Sequence, residues 1–466
     1  MSSAPTPPSV APEARPSQRL SEEIRTSALL AAPLVAGHVS TGLIGFVDNV
    51  LAGHHSTGTL ASVTIGTALW WLPMMVPIGT LLSVPPTVSQ LDGAGRRDEI
   101  GAVFRQALWL ALGLAVVLFG FMTVLPLVLA PFGIAPGIIP GATAFLHGIR
   151  WGVPALTLFF TMRYLSEGLH WTLPTMLISA AGPLLLLPMG WALTFGRWGF
   201  PELGAGGLGL ASAVMLWLQA IAFVLVLRRA RRFADLGLFA RFDRPHWPTI
   251  RGLLGTGLPI GVTVLMEGSL FIVTALLIGR LGEVPAAAHQ IAINVATLCF
   301  MVPMGLAEAT TVRVGHALGR GDVHGVRRAA WAGLCIVLAS QLLSATVLLT
   351  ANEWVVGVYT RDAAVATLAA GLLVYAAMFQ FPDGVQVLSA GSLRGLKDTR
   401  VPMFLAMFAY WGVGMPVGAG LGLGLGWGPK GMWIGLIAGL TVAAVLLGAR
   451  FLRASAPARL ARRYGG

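Results

Sequence analysis

The chain is a succession of apolar runs, each about as long as the roughly 20 residues that carry an α-helix across a bilayer. In hydrocarbon no water is present to satisfy backbone N–H and C=O groups, so a spanning segment must pair them internally, and runs of this length do so as helices. Twelve such runs are bounded by Gly, Pro and charge: 27–51, 59–90, 103–129, 141–164, 172–195, 208–227, 253–281, 286–314, 329–349, 365–393, 401–425 and 431–451. The expected fold is therefore an all-α integral membrane protein with twelve transmembrane helices. Only 11% of the 466 residues are charged, against about 25% in a soluble domain.

The formal net charge of +12 would, in a soluble protein, suggest a nucleic-acid partner. Here the basic residues lie in short segments between apolar runs, as expected of loops facing anionic lipid headgroups, and no compact basic domain exists, so no nucleic acid is expected. Of the 31 Lys and Arg residues, only Arg150, Arg197, Arg280, Arg361 and Lys430 fall on one side of the alternating topology. That asymmetry places both termini in the cytoplasm. The start is rich in Pro, Ser and Ala, lacks the apolar stretch of a signal peptide, and reads as a disordered tail. Cys299 and Cys335 lie inside apolar runs, far from any CxxC spacing, and read as small buried hydrophobes.

An internal repeat organises the chain. Met75-Val76-Pro77-Ile78-Gly79 recurs as Met301-Val302-Pro303-Met304-Gly305, and the same separation of 226 positions pairs Pro33 with Pro259 and Gly53 with Gly279. Six helices separate equivalents, so the repeat is parallel, giving two like-oriented six-helix lobes. The divisions are a cytoplasmic tail at 1–26, an N-lobe at 27–230, a cytoplasmic linker at 231–250, a C-lobe at 251–453 and a C-terminal tail at 454–466.

An ionisable side chain inside hydrocarbon costs several kcal/mol, so each one points to function and to a partner or a wet cavity. Asp48 lies in the first helix, Glu267 near the middle of the seventh, and Asp383 inside the tenth directly after Pro382. At the repeat separation Asp48 aligns with Thr274 and Glu267 with Thr41, so these acids are not shared features of the two halves. Two carboxylates close together in a poorly solvated cavity can share a proton or offer oxygen ligands to a small cation such as sodium. Glu267 and Asp383, in the same half and at similar depth, are the expected coupling site, with Asp48 a third candidate.

Other polar groups have plainer readings. Arg163 and Glu167, four apart, are expected to pair along one helix, and Glu308 to be satisfied by snorkelling or by a partner such as Arg313. His38, His289, Gln290 and Asn294 are candidates for lining a cavity; a lone His in an apolar helix is more often simply hydrogen-bonded. Pro33, at the start of the first helix, and Pro382 are candidates for helix bending.

The stretches Gly45-Phe46-Val47-Asp48, Gln90-Leu91-Asp92-Gly93-Ala94-Gly95, Ala288-His289-Gln290-Ile291-Ala292-Ile293-Asn294, Arg313-Val314-Gly315-His316 and Gly391-Ser392-Leu393-Arg394-Gly395 resemble NorM-type members of the multidrug and toxic compound extrusion (MATE) family. The resemblance runs in family order over 27–451. It implies a large central cavity between the lobes and export of organic cations driven by inward flow of protons or sodium ions. It also implies that Asp48, Glu267 and Asp383 match acids that bind the coupling ion, the drug, or both in turn. Relatives often carry two Asn residues four apart on the fifth helix, where this chain has Leu186 and Gly190, which moves the weight to Glu267 and Asp383.

The expected protein is thus a secondary transporter and not an enzyme, without a cofactor, a monomer in a bacterial-type inner membrane, taking small amphipathic organic cations as cargo. The alternative keeps the fold and changes the cargo: a flippase for lipid-linked saccharide precursors. Such proteins tend to have a strongly cationic cavity, whereas the mid-helix charges here are acidic. A membrane-embedded enzyme is disfavoured by the absence of an HExxH pattern or a clustered His, Cys or Ser motif.

Overall fold

The computed structural model describes residues 20–131 and 133–464; the expected disordered stretch at 1–19 lies outside them. Among the described residues twelve long helical segments follow in order: α1 Leu20–His55, α2 Thr57–Gly93, α3 Arg97–Val128, α4 at 139–168, α5 Leu173–Phe195 and α6 Ala205–Arg229. The second half holds α7 Trp247–Gly279, α8 Glu283–Gly319, α9 Val323–Thr350, α10 Ala363–Gly395, α11 Arg400–Gly424 and α12 Pro429–Ala454. Eleven of these, among the described residues, are long and apolar enough to span a membrane, α2 with a turn at Leu82 and Ser83 between helices Thr57–Leu81 and Val84–Gly93. The twelfth, α4, comes in three pieces: Ile139–Ile149, a 3-10 turn at Arg150–Gly152, and Val153–Gly168. The break has a local cause, since Pro154 offers no N–H and its ring would crowd the carbonyl of Arg150 four residues earlier.

Residues 20–26, read as tail, are the first turns of α1, so Pro33 sits in the helix interior and not at its start. Both α1 and α10 run uninterrupted through Pro33 and Pro382 in this conformation. The outward faces are apolar: Val116, Val117 and Leu343 are each at least 70% exposed, a surface that suits lipid rather than water. Cys335 is a correction to the sequence reading, being exposed where burial was expected. It shares an α9 face with the exposed Leu338 and Leu342, and a thiol, a small and weakly polar group, is as comfortable against lipid as in a core.

Close helix packing comes from small residues, which let backbones approach where lipid removes any hydrophobic preference between helices. Gly414 and Gly418 of α11 face Gly435 and Gly439 of α12, and a Cβ on Gly414 would lie 3.2 Å from the Gly439 Cα. The segment between the lobes is strapped to α3. Arg105 Nε donates to Asp243 Oδ2 at 2.6 Å, Arg105 Nη1 to the Gly237 carbonyl at 2.7 Å, and Trp109 Nε1 to the Asp243 carbonyl at 2.9 Å. Gln106 donates to the Arg244 carbonyl at 3.0 Å and accepts from the His246 N–H at 2.7 Å. The Arg105 guanidinium holds the Asp243 carboxyl below the usual carboxylate range.

The lobes α1–α6 and α7–α12 meet mainly in the half of the molecule where α1 begins and α12 ends. Glu23 of α1 pairs with Arg313 of α8, Gln90 Nε2 of α2 donates to the Gly395 carbonyl of α10 at 2.8 Å, and Asp92 Oδ2 lies 3.5 Å from His316 Nε2. In the same half Gly79 of α2 sits against Gly261 of α7, and Gly257 against the Thr80 carbonyl. The two lobes are therefore clasped at the end that carries both termini.

Candidate coupling and substrate site

Three contiguous cavities occupy the space between and within the lobes. The C-lobe cavity, about 360 Å³, is lined by Glu267 of α7, Asp383 of α10, Met75 of α2 and the rings of Phe271, Phe300 and Phe379. A central cavity of about 280 Å³ is lined by residues of both lobes and also reaches Glu267. The N-lobe cavity, about 360 Å³, holds Asp48 with Ser179, Ser212 and Gln219. Glu267 stands at the junction of the first two; His38, Thr41, Trp71, Phe160 and Arg163 line both the second and the third.

Glu267 and Asp383 are brought together by one amide. Gln386 Nε2 donates to Glu267 Oε1 at 2.8 Å and reaches Asp383 Oδ1 at 3.5 Å. The Gln386 Oε1 accepts from the Tyr410 hydroxyl at 3.0 Å, which fixes the amide so that its NH2 points at the carboxylates. Asp383, Gln386 and Tyr410 are all buried. Tyr410 and Trp411 stand on a π-helical stretch of α11, Phe408–Gly414, and Trp411 Nε1 donates to the Met266 carbonyl at 3.3 Å, tying α11 to the turn that carries Glu267. No Lys or Arg is hydrogen-bonded to either carboxylate among the described residues. Such a pair can hold a shared proton or surround a small cation with oxygen atoms, and the flanking rings offer apolar and π surface to an organic cation.

Asp48 is 4% exposed and its Oδ1 has no hydrogen-bond partner among the described residues. On α5, Leu186 is fully buried and Gly190 lies against Leu51 of α1, so these two positions contribute packing and no hydrogen bond.

Two sequence expectations are corrected. Glu308 does not turn to Arg313, which pairs with Glu23; its Oε2 lies 2.9 Å from His38 Nε2 and 3.5 Å from Arg163 Nη2, both across the lobe boundary. Five positions along a helix is about 140° around it, which points the two side chains apart. His289 lines none of the three cavities: it is 3% exposed, packs edge-on to Trp433 at 5.9 Å, and both its ring nitrogens lack partners among the described residues. Arg163 and Glu167 pair as expected, Nε to Oε1 at 2.6 Å, and His38 lines both the central and N-lobe cavities. Gln290 and Asn294 are exposed and hydrogen-bonded to each other at 3.2 Å. They continue, one turn at a time, the α8 stripe of Thr297, Met301, Met304 and Glu308 that lines the cavities. They lie on the cavity-lining face of α8 but line none of the three cavities.

Sequence reading passed over Gln386 and Tyr410. Gln386 had a signal, a polar residue three positions after Asp383 and so on the same helical face. Tyr410 had none, because its partner lies 24 positions away on another helix.

Comparison with known proteins agrees with this architecture. The MatE family matches residues 33–192 and again 259–419, once per lobe, the two matches beginning 226 positions apart. A protein of Xanthomonas axonopodis pv. citri named "Probable multidrug resistance protein NorM" is 69% identical over 455 residues, covering 98% of each chain. The crystal structure of the eukaryotic MATE transporter AtDTX14 superposes with a TM-score of 0.86 at 19% identity, covering 96% of this chain and 98% of that one. A transporter of the MOP superfamily from Pyrococcus furiosus, described as having a binding pocket of reverse polarity that suggests a different function, superposes with a TM-score of 0.84 at 17% identity, over 94% of this chain and 96% of that one. At such identities the structural likenesses speak to the fold, whereas the family matches cover most of the sequence. With two clasped six-helix lobes, an acid-lined cavity and these matches in register with its repeat, the chain belongs to the MatE family of multidrug and toxic compound extrusion transporters and is a transporter rather than an enzyme.

Proposed function

We propose that the chain exports small amphipathic organic cations by antiport against protons or sodium ions, with Glu267 and Asp383 as the site where ion and drug compete. The observation that carries this reading is the pair of C-lobe carboxylates joined by Gln386, open to a ring-lined cavity and, among the described residues, hydrogen-bonded to no Lys or Arg. In the proposed cycle the carboxylates attract the cation while its apolar body packs on Phe271, Phe300 and Phe379; an incoming ion then displaces it. The exchange works only if the two lobe arrangements differ in affinity for drug and ion. Asp48, which lines the N-lobe cavity, is proposed as a secondary cation site.

The Lys and Arg distribution supports a cytoplasmic location for the clasped end, in a bacterial-type inner membrane, so this conformation is read as facing outward. The chain is proposed to act as a monomer. Because the same fold also carries a transporter with a pocket described as reversed in polarity, charge decides between cargoes. Acidic groups in both lobe cavities support organic cations over anionic lipid-linked saccharides, and Arg163 is already matched by Glu167 and Glu308.

The test is efflux of a fluorescent organic cation from proteoliposomes, with proton and sodium gradients imposed separately. The double variant Glu267→Gln with Asp383→Asn is expected to remain folded and to lose gradient-driven transport. Normal transport in that variant, or tighter binding of an anionic lipid precursor than of the organic cation, refutes the proposal.

A further inference from the structure

The buried charges that the antiport reading leaves unused form a cluster at the lobe boundary. Glu308 of α8 is the carboxylate that the C-lobe presents to the N-lobe there, held by His38 of α1 at 2.9 Å and Arg163 of α4 at 3.5 Å. Arg163 has its own carboxylate, Glu167, on the same helix at 2.6 Å. Arg394 of α10 lines the same central cavity, and its buried Nε has no hydrogen-bond partner among the described residues. It lies within electrostatic reach of Glu308, Tyr164 and Glu267. The helices bearing Glu308 and Arg394 are locked in register within the C-lobe: Thr311 Oγ1 donates to the Gly391 carbonyl at 2.8 Å, and a Cβ on Gly391 would lie 2.6 Å from the Ala307 carbonyl oxygen.

Arg163 therefore has a carboxylate of its own lobe in Glu167, and Arg394 shares the central cavity with two carboxylates of its own lobe, Glu308 and Glu267. Of the carboxylates in this cluster, Glu308 is the one held by partners across the boundary. If the lobes part at this end, breaking its contacts to His38 and Arg163 would strand a carboxylate in a low-dielectric interior, which is strongly unfavourable unless another partner takes it.

We infer that Glu308 is an exchanging carboxylate: it clasps His38 and Arg163 while the lobes are closed at the terminal-bearing end, and passes to Arg394 when they open. The exchange lets the lobes separate without leaving a buried charge uncompensated, and it makes Glu308 and Arg394 positioning residues of the transport cycle. The inference rests on the alternating-access part of the proposed function.

The experiment measures the distance between spin labels at Arg96 and Arg320, both exposed at the terminal-bearing end of opposite lobes, in a protein carrying Cys299→Ser and Cys335→Ser and embedded in nanodiscs. Glu308→Gln is expected to raise the ratio of parted to clasped molecules about tenfold, and Arg394→Gln to lower it by about the same factor. The Arg394→Gln effect is expected to vanish in the Glu308→Gln background, since no charge then needs the second partner. Shifts of the same sign, or an Arg394 effect that persists in that background, overturn the exchange. A single invariant distance in the parent protein under every ion gradient and with drug present overturns alternating access and the exchange together. Should Arg394→Gln fail to fold, Arg394→Lys is expected to keep the parent ratio while His38→Ala raises it; the opposite pattern overturns the inference.

Discussion

Replacing Gly79 with leucine tests whether the seam between α2 and α7 is where the lobes close. A Cβ at this position would lie 2.5 Å from the Gly261 Cα and 2.9 Å from its nitrogen, whereas carbon atoms rest about 3.5–4.0 Å apart. The neighbour is backbone, so no side chain can swing away; the helices must separate by about 1 Å or more. Overpacking of this kind costs about 1–3 kcal/mol. Because α2 and α7 belong to different lobes, the strain falls on the clasped state and is relieved when they part. At about 1.4 kcal/mol per factor of ten, the parted population should rise roughly 5- to 150-fold over the parent. Spin labels at Arg96 and Arg320 report it directly as a gain in the long-distance population, and Gly79→Ala should give a smaller shift in the same direction. An unchanged distance distribution in a folded, membrane-inserted Gly79→Leu protein would refute the reasoning, since the seam would then not need to open or close.

Two further outcomes follow from single contacts. Gln386→Leu removes the N–H that Glu267 accepts at 2.8 Å and orphans the Tyr410 hydroxyl; at about 1.5–3 kcal/mol for a hydrogen bond to a charged group, efflux in proteoliposomes should fall roughly 10- to 100-fold, with Tyr410→Phe milder, and parent-like rates in Gln386→Leu would remove the amide from the site. His170, in the turn joining α4 to α5, meets His316 of the other lobe edge to face at 4.8 Å between ring centres, and burial pushes its ring down to about 4 from an ordinary value near 6.5. The unfolded chain then takes up a proton below about pH 6.5 that the folded protein refuses until about pH 4. Thermal stability should therefore be full above pH 6.5 and decline as pH falls toward 4, and His170→Asn, which suits the left-handed φ of 60° there, should flatten that slope. A slope as steep in His170→Asn as in the parent would assign the acid sensitivity to other groups.

Much of the architecture was legible because its signals are local. A run such as 365–393 announces a spanning helix by length and apolarity alone, and the recurrence of Met75–Gly79 at Met301–Gly305 needs only the order of residues. The prominence of Glu267 and Asp383 was equally readable, because a carboxylate within an apolar run is conspicuous wherever its helix packs. Partners were less so. Glu308 was matched in sequence to Arg313, its near neighbour along the chain, but the helical turn carries that pair apart and the true partners come from α1 and α4. His289, one residue from the exposed Gln290, is rotated about 100° from it and turns into the lobe against Trp433.

The amino-acid order by itself thus determined a membrane protein of twelve helices in two parallel halves with acids at mid-depth, since apolar length, backbone pairing and internal repetition are properties of one segment at a time. Tertiary structure alone decided that Gln386 and Tyr410 join the acids, that Glu308 reaches into the opposite lobe, and that the end bearing the termini is the clasped one. In a bilayer the lipid is as apolar as the side chains, so hydrophobicity does not choose a helix's neighbours; close glycine contacts and a few buried polar bonds make that choice, and both depend on which helices have already been brought side by side.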